Sequence, residues 1–164
     1  MPESTPTLPA RRRRFASLEQ EVFLNLWRTY DRLRMLEDEL FSHFDLTAQQ
    51  YNVLRILRAA APQPLPTLVV SERLISRAPD ITRMIDRLEE RSLVERRRDS
   101  ANRRVVLVAI TAAGEALLQS VDQPLRDCHR QQLGHMAKAQ LEQLRTLLQT
   151  ARSPHEADDS PWAT

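Results

Sequence analysis

Residues 80–110 read DITRMIDRLEERSLVERRRDSANRRVVLVAI, and the spacing of the apolar positions changes partway through. Ile81, Met84, Ile85 and Leu88 fall three and four apart, the period of one buried helix face, and that helix is expected to end near Arg91. Arg83, Asp86, Arg87, Glu90 and Arg91 lie off the face. From Leu93 onward the residues favour strands instead. Segments 93–96 and 105–110 read as the two arms of a β-hairpin, with the polar run Arg97-Arg98-Asp99-Ser100-Ala101-Asn102-Arg103-Arg104 as its tip. Five arginines face one aspartate between Arg96 and Arg104, although the whole chain carries a formal charge of only +2. A solvated loop is the bland reading of that charge. Its crowding at a hairpin tip directly after an amphipathic helix favours a surface for a polyanion.

Working upstream, Thr67 is expected to cap a short helix reaching about Ile75. A break follows at 76–78, and Pro79 falls in the first turn of the helix described above, where a missing N–H is harmless. Thr47 and Gln50 form a capping box that opens another helix, whose core side is Tyr51, Leu54 and Leu57 with Val53 flanking. Pro62, Pro64 and Pro66 end it and hold an extended connector. No glycine or proline interrupts 15–44. There Ser17 can cap a helix with Leu18, Val22, Leu26, Leu33, Leu36, Leu40 and Phe44 on one face. Such a helix, of roughly 27 residues and about 40 Å, is too long for one small domain to cover, so a partner helix is expected. Downstream, Thr111 caps a helix carrying Leu117, Leu118, Val121 and Leu125, bent at Pro124. Gly134-His135 breaks it, and Leu141, Leu144, Leu147 and Leu148 mark the last helix.

Composition narrows the class. The chain has 164 residues, of which 41% are hydrophobic, 5% aromatic and only 2 glycine, which argues against an all-β fold with its many turns. The fold class expected is mainly α with a small β-hairpin. Residues 1–16, with Arg11 to Arg14, read as a flexible basic arm, and 152–164 as a disordered tail around a single domain at 17–151. All but Lys138 of the 24 basic residues are arginine. Phosphate recognition and a coding bias both account for that excess.

One cysteine, Cys128, allows no disulfide within the chain and points to a reducing compartment. No apolar run approaches the roughly 20 residues of a membrane span. The segment after Arg14 is amphipathic and charged, not an export signal, so a cytoplasmic protein with no membrane partner is expected. His43, His129, His135 and His155 offer no i, i+4 pair, and no glycine-rich phosphate loop or nucleophile elbow is present. No metal, cofactor or enzymatic activity is expected. Cys128 reads as a buried, inert thiol.

A short helix, a tight break, an amphipathic helix and a basic hairpin make a winged helix-turn-helix. Its second helix fits the DNA major groove, about 12 Å wide, and its hairpin reaches the backbone or minor groove beside it. The run 80–96 resembles the recognition helix of the MarR (multiple antibiotic resistance regulator) family, whose pattern is T-R-hydrophobic-hydrophobic-D-R-L-E-x-x-G-L-V-x-R. Residues 99–111 with Gly114 resemble that family's wing, D-P-x-D-x-R followed by L-T-x-x-G, and the helix order extends the likeness over 18–151. Two departures stand out. Ser92 replaces the glycine after the recognition helix, so that turn is expected to differ. Asn102 replaces the aspartate that in relatives orients the wing arginine, here Arg104.

The resemblance implies a homodimer built by helices at 17–45 and 112–151, with a DNA-binding lobe at 47–111. It implies a pseudo-palindromic site on double-stranded DNA with half-sites about 10 bp apart. Arg77, Asp80, Thr82 and Arg83 are the base and phosphate candidates, Arg87 a phosphate candidate, Arg103 and Arg104 the wing-tip candidates, and Arg97 and Arg98 backbone contacts. Asp80 also reads as a helix N-terminal acid, and Asp86 and Arg91 as members of surface ion pairs. Relatives take small aromatic or phenolic ligands between the dimer helices and the lobe. Trp27, Tyr30, His43 and Tyr51 are the candidates for such an effector site, with ordinary core packing the other reading. The function implied is a sequence-specific transcriptional regulator, a repressor released by such a ligand. The alternative is a helical dimer whose winged helix docks another protein.

Overall fold

The computed structural model describes residues 15–76, 80–157 and 160. The chain divides into two compact units after Met35. The elements are α1 (Leu18–Ser42), α2 (Ala48–Ala60), β1 (Leu65–Pro66), α3 (Thr67–Glu72), α4 (Ile81–Glu90), β2 (Val94–Arg98), β3 (Val106–Ile110), α5 (Ala112–Leu133), α6 (Lys138–Arg152) and a 3-10 turn at Ser153–His155.

The first unit holds the N-terminal part of α1. Ser17 begins the helix, its Oγ accepting the Gln20 N–H at 3.2 Å. Leu18, Val22, Phe23, Leu26, Trp27 and Tyr30 are all exposed, and Phe23 meets Trp27 edge-on with centroids 6.1 Å apart. A stripe that apolar, left in water, is the feature a second surface would cover.

The second unit is built around α2. Thr47 and Gln50 form the expected capping box: the Thr47 hydroxyl accepts the Gln50 N–H at 3.1 Å, and the Gln50 side chain accepts the Thr47 N–H at 2.9 Å. Val53, Leu54, Ile56 and Leu57 are all buried, whereas Tyr51 is half-buried and stacked on Phe41 at 4.8 Å. The core side is therefore wider than the spacing suggests, because helical, strand and loop partners surround α2. Each of these side chains contributes about 1.5–3 kcal/mol when removed from water. Arg58 of α2 donates through both terminal nitrogens to the Asp122 carboxylate of α5, 3.0 Å each, which fixes the angle between these helices.

Several boundaries differ from expectation. Thr67 does not cap α3; Pro66 occupies the cap position, and the Thr67 hydroxyl donates to the Val106 carbonyl at 3.3 Å. The helix stops at Glu72 and does not reach Ile75. The fourth helix starts at Ile81 with Asp80 as its N-cap, and Pro79 lies outside the described residues. The proline connector contributes a short third strand: β1 pairs antiparallel with β3, giving the order β1-β3-β2. A two-residue strand has too little pattern to announce itself. Arg97 and Arg98 are not in the hairpin tip; they lie in β2, opposite Leu107 and Val106.

The turn after α4 keeps the left-handed geometry despite its serine. Ser92 has φ 58°, its N–H reaches the Glu89 carbonyl at 2.7 Å, and the Leu93 N–H reaches Leu88 at 2.9 Å. These two bonds define a Schellman turn. Burial of both Leu88 and Leu93 enforces it against the steric penalty of a side chain at positive φ. Gly114, in the first turn of α5, has its own reason. A Cβ there would overlap the Leu93 carbonyl oxygen and sit 2.8 Å from Ile110 Cγ1, so only glycine lets α5 start this close to the hairpin. Helix α5 continues through Pro124. Beyond α6, an ion pair from Arg152 Nε to Glu156 at 2.9 Å spans the 3-10 turn. Residues 1–14, with Arg11 to Arg14, lie outside the described residues.

Candidate nucleic-acid interface

Helix α4 buries Ile85 and Leu88, with Ile81 and Met84 packed against the same core, which leaves Thr82, Arg83 and Arg87 exposed on its outer side. Asp80 caps the helix: its Oδ1 accepts the Arg83 N–H at 3.1 Å, and its Oδ2 lies 3.6 Å from Arg83 Nε. The acid thus satisfies an orphan donor of the helix end. Arg83 and Arg87 flank a groove of about 240 Å³ that they share with Asp80, Met84 and the start of α2 at Thr47, Gln49 and Gln50. Arg77 lies outside the described residues.

The hairpin is anchored to α4 by Arg96. Its Nη1 donates to Asp86 Oδ1 at 2.6 Å and its Nε to Glu89 Oε2 at 2.8 Å. Glu89 Oε1 also accepts the Arg96 backbone N–H at 3.1 Å, a donor on the free edge of β2 that no strand takes up. The Arg96 hydrogen bonds hold the Glu89 carboxyl below the usual carboxylate range, and Glu89, with Asp86, keeps the guanidinium firmly protonated. Arg96 belongs to the cationic run 96–104, yet Asp86 and Glu89 neutralise its charge within the protein. The exposed arginines of the hairpin outside this cluster are Arg97, Arg98, Arg103 and Arg104. Nothing in the sequence separates Arg96 from these neighbours, since a partner seven residues back across a helix-to-strand change has no fixed spacing.

The tip is shaped by two short side chains. Asp99 Oδ1 accepts the Ala101 N–H at 3.0 Å, and Asn102 Oδ1 accepts the Arg104 N–H at 3.2 Å. Asn102 therefore fixes the backbone of Arg104. A neutral amide suffices for that task, because the acceptor is a single carbonyl-type oxygen. Arg104 then lines a cavity of about 530 Å³ together with Thr82 and Ile85 of α4, Leu68 of α3 and Arg96. The wing arginine and the exposed start of the recognition helix thus open onto one shared space.

The four effector candidates are placed differently. Trp27 and Tyr30 are exposed on the first unit, at 62% and 60%. In the second unit His43 borders a groove of about 530 Å³ with Leu36, Glu39, Phe44, Pro124 and Cys128. Tyr51 is engaged with Phe41 and is not among that groove's lining residues. Cys128 is 6% exposed, and burial, aided by the Glu37 charge, raises its thiol above the ordinary value, so the reactive thiolate is suppressed. His129 Nε2 lies 3.2 Å from Glu37. No group of three potential metal ligands occurs among the described residues. No described helix is long and apolar enough to cross a membrane.

Asp86 pairs with Arg96, as a surface ion pair should. Arg91 pairs with no acid among the described residues; its guanidinium donates to the backbone carbonyls of Asp45 and, at 3.2 Å, of Phe44.

A short helix and an exposed amphipathic helix, followed by an arginine-bearing hairpin that completes a three-stranded sheet with β1, define a winged helix-turn-helix protein. The profile of the MarR family matches residues 46–106. A MarR transcription factor from Planctomyces limnophilus is 53% identical, with 84% of this chain and 99% of that one aligned at a TM-score of 0.67. The chain belongs to the MarR family. BpsR of Bordetella bronchiseptica, whose DNA binding is regulated by 6-hydroxynicotinic acid, is 26% identical over 88% of this chain and 99% of its own, with a TM-score of 0.75. Among curated sequences, an uncharacterised HTH-type transcriptional regulator of Bacillus cereus is 31% identical over 98 residues, 60% of this chain. That match spans 63% of the regulator's own length, less than two thirds.

Proposed function

We propose that this chain is a cytoplasmic, homodimeric transcriptional repressor that binds a pseudo-palindromic operator on double-stranded DNA. The observation that carries the reading is the common cavity lined by Thr82 and Arg104, on a helix and a hairpin that also carry the exposed Arg83, Arg87, Arg97, Arg98 and Arg103. Cations on a helix and on an adjoining hairpin suit a major groove and the backbone beside it. In this reading Thr82 and Arg83 meet base edges, Arg87, Arg97 and Arg98 meet phosphates, and Arg103 and Arg104 enter the flanking minor groove. Arg77 joins the phosphate contacts. Asp80, a carboxylate that would repel phosphate, serves by capping the helix and steadying Arg83.

The dimer is supported by apolar surface that the single chain leaves open: Leu18, Val22, Leu26 and Trp27 on the first unit, and Leu147 and Leu148 on α6, a helix with no buried residue. The effector is a small aromatic or phenolic compound, as the acid that acts on BpsR suggests, with Trp27, Tyr30, His43 and Tyr51 as its candidate contacts. It favours a dimer whose recognition helices no longer match two half-sites.

Fluorescence anisotropy on operator duplexes across a salt series tests the reading. Phosphate recognition requires log K to fall with log salt by about 0.9 for each phosphate neutralised. An affinity for duplexes insensitive to salt, or tight binding to a protein partner through α4, would instead support the protein-docking alternative.

A further inference from the structure

We propose that Arg91 is a positioning residue, tying the end of the recognition helix to the end of α1 and so setting the half-site spacing that the dimer accepts. The proposal rests on the DNA-binding dimer described above.

Two helices end in the same way and meet at this arginine. Helix α1 closes with the Leu46 N–H on the Phe41 carbonyl at 3.0 Å and the Asp45 N–H on the Ser42 carbonyl at 3.2 Å, with Asp45 at φ 51°. Helix α4 closes in the same pattern around Ser92. A left-handed turn directs its carbonyls outward, where helix hydrogen bonds no longer use them. Arg91, the C-cap of α4, spans the gap and donates to two consecutive carbonyls of the other turn, those of Phe44 and Asp45.

The electrostatics agree. The last turn of α1 has no basic residue. The partial negative charge at that C-terminus therefore gets its cation from another helix. A guanidinium suits the role, since its planar fork reaches two acceptors at once; an ammonium would serve one as a point charge. Helix α4 is thus held on two sides, by Arg96 to the wing and by Arg91 to the turn after α1. The first tie sets where the wing lies against the recognition helix. The second sets where the recognition helix lies against the end of a helix assigned to the dimer. Loosening the second lets each half-site reader shift while its own contacts survive.

The test uses the full chain and duplexes carrying the consensus recovered from a random-sequence library, with half-site centres moved one and two base pairs either way. Wild type, Arg91→Ala and Arg91→Lys are compared for affinity, salt slope and melting temperature. Wild type should lose about tenfold or more off the best spacing, Arg91→Ala should flatten that to roughly threefold, and Arg91→Lys should fall between. Salt slope should stay unchanged, because no phosphate contact is lost. A wild-type spacing profile in both variants overturns the proposal. So does a uniform loss at every spacing with a shallower salt slope, which would make Arg91 a phosphate contact. Should Arg91→Ala unfold, the folded Arg91→Lys protein decides on spacing alone. A wild-type chain that is monomeric or selects no duplex refutes the DNA-binding reading itself, and the proposal with it.

Discussion

Replacing Arg96 with alanine removes the guanidinium tie between the hairpin and the recognition helix while leaving every candidate DNA-contacting residue unaltered. The guanidinium serves two carboxylates, with bonds of 2.6 Å to Asp86 and of 2.5 and 2.8 Å to Glu89. In a dry interior such bonds would be strong, but Arg96, Asp86 and Glu89 expose 31%, 41% and 36% of their side chains. Solvent screening holds each pair near the surface range of about 0.2–1 kcal/mol. Two pairs in good geometry therefore stabilise by about 1–2 kcal/mol, or roughly 5 °C in melting temperature for a chain of this size. DNA affinity should fall further than stability does. The variant loses the wing's fixed position and leaves two uncompensated carboxylates on the helix that meets phosphate. The assay is a double-mutant cycle with Glu89→Gln, read by urea denaturation and by anisotropy at low and high salt. Coupling of about 1 kcal/mol that shrinks as salt rises is expected. No coupling at low salt would refute the clasp, and a collapse in melting temperature far beyond 5 °C would refute the surface reckoning behind the estimate.

The clasp also makes a pH prediction. Glu89 titrates below its unfolded value of about 4.3, so its stabilisation is present above that pH and is lost as pH falls through the lowered folded value. The stability gap between wild type and Glu89→Gln, measured by denaturant titration, should be full at pH 7 and close in acid. Ser92→Gly should raise stability by about 0.5–1 kcal/mol, since it removes a left-handed side-chain penalty that the glycine's greater unfolded entropy only partly offsets. No gain in the denaturation midpoint would mean the turn is unstrained. Gly114→Ala should cost about 1–3 kcal/mol, because its Cβ has nowhere to go between Leu93 and Ile110; a neutral result would show that α5 can slide. Arg104→Ala should weaken DNA binding with the melting temperature unchanged, whereas Arg83→Ala should relax sequence preference by about 1–3 kcal/mol if it pairs with a base. Binding-site selection with each variant separates the two outcomes.

The elements that carry their own local chemistry could be read directly from the chain. The Thr47 and Gln50 capping box, the amphipathic face of α4, the Thr111 cap and the change from helical spacing to strand-favouring residues after Leu93 all depend on residues a few positions apart. Period and capping geometry are fixed over that distance, so a sequence states them without help. The family likeness was legible for the same reason, being concentrated in the contiguous run 80–114.

Tertiary structure decided the features that depend on residues meeting from far apart or on which face is covered. It withdrew Arg96 from the pool of free cations by giving it Asp86 and Glu89. It sent Arg91 across 46 positions to the Asp45 carbonyl instead of to an acid. It made strand β1 from two residues whose only strand signal is their partner, β3. It also held Ser92 left-handed, because two buried leucines outweigh one strained turn. A charge or a turn in the sequence states what a residue can do; which of its options it takes depends on the neighbours that folding brings within hydrogen-bonding distance.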